Sequence, residues 1–145
     1  MSHHLVIRVV TKLLIPFILL FGLYVQFHGD FGPGGGFQAG VIFASAFILY
    51  ALVFGLDNAR RVVPDTAIRC GVAMGLLIYG FTGVAALLLG GNYLDYSALR
   101  PDPVGGQHLG IFIIEFGVGL SVASVMVAIF FAFAGRGHKL DEMED

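Results

Sequence analysis

Residues 108–134 read HLGIFIIEFGVGLSVASVMVAIFFAFA, with one acidic side chain, Glu115, in the whole run. A helix needs about 20 predominantly apolar residues to cross a hydrocarbon layer about 30 Å thick, and this run exceeds that. Working back along the chain, three more stretches of the same kind lie at about 5–27, 37–56 and 68–90. The chain is 57% hydrophobic and 12% charged. A soluble domain has about half its residues apolar and about a quarter charged. A water-soluble fold of this composition would expose apolar patches that aggregate. The expected fold is therefore an all-α integral membrane protein with four transmembrane helices, spanning residues 1–135, followed by an acidic cytoplasmic tail at 136–145.

The first stretch is the least regular. Arg8 and Lys12 interrupt its start, one turn apart and near an end, where both side chains can snorkel to the headgroups. Pro16 follows and favours a kink. The run closes on Val25-Gln26-Phe27-His28, which lacks the small-x-small pattern of a cleaved signal, so it reads as a retained first helix. Lys and Arg then orient the chain. Arg8, Lys12, Arg60, Arg61, Arg69, Arg136 and Lys139 fall on one side and Arg100 alone on the other. The positive side is the cytoplasm. Both termini are thus expected inside, with the first and third loops outside. A net charge of −2 carries no nucleic-acid signature. Cys70 has no second cysteine to pair with and is expected to be a buried, inert thiol.

Loop one leads into helix two through Asp30-Phe31-Gly32-Pro33-Gly34-Gly35-Gly36-Phe37-Gln38-Ala39-Gly40. Consecutive glycines admit positive φ and close backbone approach, and they leave amides bare near a helix N-terminus. No strand precedes and no Gly-Lys-Ser/Thr follows, so this is not a phosphate loop. Gly36, Gly40 and Ala44 make a small-xxx-small seam, and the element is expected to be a tight turn seating helix two on a neighbour. A direct part in ion passage is the alternative. Gly71 with Gly75 on helix three, and Gly117, Ser121, Ser124 and Ala128 on helix four, mark further close-packing faces.

Glu115 is the only acid inside an apolar stretch, about two turns into helix four. An ionisable group in hydrocarbon is costly and is a functional candidate by default. His108 lies seven residues earlier on the same face, so the two are candidates for an ion or proton route. A purely structural anchor is the competing role for Glu115. Asp30, His28 and the adjacent His3 and His4 do not converge as metal ligands must, and no nucleophile–base arrangement is present. No metal, cofactor or catalytic residue is expected. Tyr93 and Tyr96 suit the membrane interface.

The basic start Arg8–Pro16, the sequence His28-Gly29-Asp30 leading to Pro33-Gly34-Gly35-Gly36-Phe37-Gln38-Ala39-Gly40, the element His108-Leu109-Gly110, and Glu115-Phe116-Gly117-Val118-Gly119 together resemble the MnhB/MrpB family, small membrane subunits of the multisubunit Mrp-type Na⁺/H⁺ antiporters. The resemblance covers all but the acidic tail, and Pro-Gly-Gly-Gly-Phe is its most specific part. It implies one component of a hetero-oligomer in the bacterial or archaeal inner membrane that exchanges cytoplasmic Na⁺ for external H⁺. Sodium and proton transport come from the resemblance alone. The Lys- and Glu-bearing interrupted helices of an antiporter-like large subunit are missing, so the main proton path is not expected here. The function implied is an accessory subunit needed for assembly, with Glu115 and His108 as candidates for an ion or proton route. Two alternatives are a membrane adaptor in a related redox-coupled complex of the membrane-bound hydrogenase type and a stand-alone channel or transporter.

Overall fold

A computed structural model describes the backbone of residues 2–29, 32 and 34–144, and within these the side chains of residues 5–136. Asp30, Phe31 and Pro33 lie outside the described residues, as do the side chains of His3, His4, Lys139 and the acidic tail. The chain forms α1 (Ser2–His28), α2 (Gly36–Phe54), α3 (Leu56–Val62), α4 (Asp65–Leu88), a 3-10 helix (Tyr96–Leu99) and α5 (Pro103–Glu144). Four of these carry spans long and apolar enough to cross a bilayer: Leu5–His28, Gly36–Phe54, Asp65–Leu88 and Pro103–Arg136. The protein is an all-helical, multi-pass membrane protein.

Three local features depart from the expected layout. Helix two stops at Gly55, whose φ of 92° is open to glycine, and the next residues form α3 instead of a loop. Asp57 in the first turn of α3 and Arg60 and Arg61 in its last turn match the helix dipole, and Pro64 ends the segment before α4. Helix four begins earlier than His108. The Asp102 carboxylate accepts from the Gly105 amide at 2.9 Å, and Pro103 occupies the first helical position, where its missing N–H is no loss. Cys70 is exposed on the outer face of α4, because the turn that carries Gly71 and Gly75 inward carries Cys70 outward.

The helices form an open row with α5 inside it. α4 packs along one flank of α5, α2 along the other, and α1 lies chiefly on α2. Large side chains build little of this core outside one end of the row. Ala39, Ala44, Ala46 and Ala86 are its most deeply buried apolar residues, while Phe17 on α1 and Phe81 on α4 are 68% and 71% exposed. Lipid tails are as apolar as leucine, so helix pairs gain by close backbone packing instead of by hiding apolar bulk from water. Such packing is seen along α4. A methyl group at Gly75 would stand 2.8 Å from the Ser121 amide nitrogen, and one at Gly71 would overlap the Ser124 hydroxyl. A larger cluster closes one end of the row, where Ala51, Ala59, Ile68, Val127 and Phe131 join α2, α3, α4 and α5.

The alternating spans gather the cations. Arg8 and Lys12 stand over the Phe54 ring, and the Arg60 guanidinium lies 5.9 Å from the centre of the Phe131 ring, all at the end of the row where α1 starts and α2 stops. Loop three covers the opposite end. Asp95 caps the 3-10 helix by accepting from the Ser97 amide, and the Gln107 amide donates to the Ser97 hydroxyl at 2.8 Å. The Tyr96 side chain packs against Gly110, and Gly83 meets Tyr93. Burial raises the Tyr96 phenol above its ordinary value, with help from Tyr79 and Tyr93.

Two outcomes follow from this packing. Gly75→Ala should destabilise the protein by about 1–3 kcal/mol through overpacking against α5. Gly80→Ala, where the added methyl meets no atom beyond its own stretch of helix within 4 Å, should be neutral or stabilising; thermal unfolding in detergent checks the pair. Because the folded phenol of Tyr96 holds its proton more tightly than the unfolded one, its share of stability is full below the ordinary phenol value and is lost as pH rises through the raised one. Tyr96→Phe should flatten this alkaline decline in a midpoint-against-pH series.

Candidate functional site

The glycine-rich turn and Glu115 meet at one junction. Gly36, the first residue of α2, lies directly on the backbone of α5: a methyl group there would overlap the Glu115 carbonyl oxygen and come 3.0 Å from its Cα. Gly35, just before it, has φ 132°, a conformation open to glycine. A methyl group on Gly35 would stand 3.1 Å from Glu115 Oε1, and one on Gly29 would stand 2.7 Å from Oε2. The carboxylate thus occupies a recess between the end of α1 and the start of α2, walled by glycine backbone. Gln38 brings its side-chain oxygen to the same corner, 3.4 Å from the methyl position of Gly35. The first amides of a helix have no partner within it, and they carry the positive end of its dipole. A carboxylate beside the first turn of α2 is therefore electrostatically favoured even at the edge of hydrocarbon.

Gly34 continues the close approach, since a methyl there would lie 2.8 Å from the Val25 carbonyl oxygen. One turn further along α2, Gly40 packs on the Gly119 carbonyl and Val122 of α5, with a 2.7 Å gap from its methyl position to that oxygen. Phe37 points away from the junction and is exposed. His108 is exposed as well, two turns or about 10 Å along α5 from Glu115. His28 stacks on Tyr24 with ring centres 5.1 Å apart. Among the described residues, no three His, Cys, Asp or Glu side chains group as metal ligands. The structure therefore brings Glu115 together with Gly29, Gly35 and Gly36, sets Gly34 on Val25 and Gly40 on Gly119, and places His108 two turns away on the surface.

Gln26 is the residue that sequence reasoning passed over. It lies one turn below Gly29 on α1 and faces Gly119, one turn below Glu115 on α5; its Oε1 is 2.7 Å from the methyl position of Gly119. The side chain is 7% exposed and its amide nitrogen is buried without a hydrogen-bond partner. Gln26 also edges a cavity of about 220 Å³ otherwise walled by apolar groups such as Leu23, Phe43 and Phe116. The available signal was a single amide in an otherwise apolar run, Leu23 to Phe27.

Comparison with known proteins shows the family of the chain. Residues 6–128 match the family model described as "Domain related to MnhB subunit of Na+/H+ antiporter". The chain is also similar to proteins named "Putative antiporter subunit mnhB2" from Staphylococcus aureus strains Newman, JH1 and USA300. Each is 36% identical over 137 residues, covering 92% of this chain and 96% of the relative. The match takes in the turn, α2, α4 and most of α5, including Glu115, and on this footing the chain belongs to the MnhB family.

Proposed function

We propose that this protein is an accessory subunit of a multisubunit Na⁺/H⁺ antiporter in the cytoplasmic membrane, with both termini inside, and that Glu115 is its proton-exchanging group. The observation that carries the second half is the glycine-walled recess around the Glu115 carboxylate. Glycine backbone lies close to both carboxylate oxygens, at Gly29 and at Gly35, and holds the group in a confined position. What such a carboxylate can take up and release is a proton. The family relationship and the four spans support the first half. The exposed apolar faces of α1 and α4 fit a chain that works beside larger membrane subunits. His108, nearer the outer end of α5 in this orientation, is the group best situated to pass protons between Glu115 and the external water.

Glu115→Gln keeps the shape of the recess and removes the titrating group. The expected outcome is an assembled complex with antiport reduced at least about ten-fold, read as Na⁺-driven proton movement in everted vesicles; normal antiport by an assembled variant would leave Glu115 as an anchor only. Gly36→Val, which wedges α2 off α5, should lower the yield of assembled complex before any selective effect on transport. Recovery of iron–sulfur or hydrogenase-type subunits with the tagged chain, in place of antiporter subunits, would transfer the protein to a redox-coupled complex.

Gln26→Met is expected to keep antiport and to keep or raise thermal stability. An unsatisfied buried donor costs about 1–3 kcal/mol, and methionine fills similar space without it. Lost antiport in a stable Gln26→Met complex would make Gln26 part of the proton route.

A further inference from the structure

The cationic end of the row contains a second recess, remote from Glu115. It has a volume of about 260 Å³ and lies between α3, the first turns of α4 and the late part of α5. Its rim carries Arg60, Arg69 and Asp65, and its floor is formed by Ile68, Ala128 and Phe131. The floor is anchored: Ile68 and Phe131 belong to the buried cluster at this end. Arg60 is held over it, with its guanidinium 5.9 Å from the Phe131 ring centre. Gly135, one turn beyond Phe131, makes space for the same group, since Arg60 Nη2 is 3.2 Å from the methyl position there.

The depth of the recess in the bilayer follows from its walls. α3 has seven residues and cannot cross a membrane, so it lies at the boundary between hydrocarbon and water. Asp65 opens α4, the neighbouring span, at the same level. A pocket at that level with an apolar floor and a charged rim matches the two halves of a phospholipid. Two guanidiniums suit a phosphodiester, which arginine binds through paired N–H donors. The N-terminus of α4, a helix of 24 residues, adds favourable dipole on the same side. Asp65 remains, and a carboxylate on the rim would repel an anionic headgroup while accepting from a cationic amine.

We propose that this recess binds one aminophospholipid of the phosphatidylethanolamine type, with the phosphodiester on Arg60 and Arg69, the ammonium on Asp65, and the upper acyl chain over Ile68, Ala128 and Phe131. The assignment rests on membrane placement and charge. It does not depend on the role given to Glu115 or on antiport.

The test is native mass spectrometry of the delipidated complex containing the full chain, titrated with phosphatidylethanolamine, phosphatidylglycerol, phosphatidylcholine or inorganic phosphate. One tightly retained phosphatidylethanolamine per copy of this chain is expected. Phosphatidylglycerol and phosphatidylcholine should be retained about ten-fold less well, the equivalent of one charge-assisted hydrogen bond. Asp65→Asn, an exposed substitution with little to disturb, should abolish the preference for phosphatidylethanolamine over phosphatidylglycerol. The double change Arg60→Gln and Arg69→Gln should lose the retained lipid, and Arg60→Lys with Arg69→Lys should keep part of it. Equal retention of all three lipids, displacement of the lipid by free phosphate, or an unchanged preference in Asp65→Asn would overturn the proposal. So would release of a neighbouring subunit by the double Gln change with the lipid count unaltered, which would assign the arginines to a protein partner.

Discussion

Everything in this protein depends on how closely two helices can come to α5. On one side Gly36 and Gly40 set α2 against the backbone of Glu115 and Gly119, and on the other Gly71 and Gly75 set α4 against Gly117, Ser121 and Ser124. In a bilayer the burial of a large apolar side chain brings little advantage over contact with lipid, so contact between backbones has to supply the cohesion. The seams accordingly consist of alanines and glycines, and most large side chains point away from them, the cluster around Ile68, Val127 and Phe131 excepted. The same closeness makes the recess at Glu115. The glycines that bring the turn onto α5 also bring its backbone against the carboxylate, so the position of Glu115 and the packing of α2 come from one contact.

The ends of the row differ in kind. The end that holds Glu115 is built from backbone, with side chains such as Gln26 and Gln38 at its margin. The end that holds Arg60 and Arg69 is built from aromatic and aliphatic side chains beneath a charged rim. In the first a small change in shape moves the surroundings of one carboxylate; in the second a change in side chain alters the charge of the rim.

The four spans were legible because length and apolarity alone identify a membrane helix, and the seams at Gly36, Gly40, Gly71 and Gly75 were legible because small residues four apart must share a face. Glu115 stood out as one acid among apolar residues. Its contact with Gly29 and Gly35 did not, since no local pattern links residues so far apart in the chain. Asp102-Pro103 carried a start signal for α5, and Gly55, Asp57 and Pro64 carried one for α3, but both sat within segments whose polarity reads as loop. Cys70 was expected to be buried from the habits of cysteine in soluble cores. On a helix whose inward face carries Ile68, Gly75, Thr82, Gly83 and Ala86, it turns outward. Gln26 could not be ranked from sequence because its significance lies in a missing partner, which only packing reveals.

The order of the chain sets a problem for its synthesis. α2 and α4 both find their main contact in α5, which follows them both in the chain. Until α5 is in place the glycine faces of the earlier helices lie in the lipid without the surface they fit, and the turn before α2 has no carboxylate to enclose. The pairing of α1 with α2 needs no part of α5, whereas the seams of α2 and α4 can close only once α5 stands beside them in the membrane.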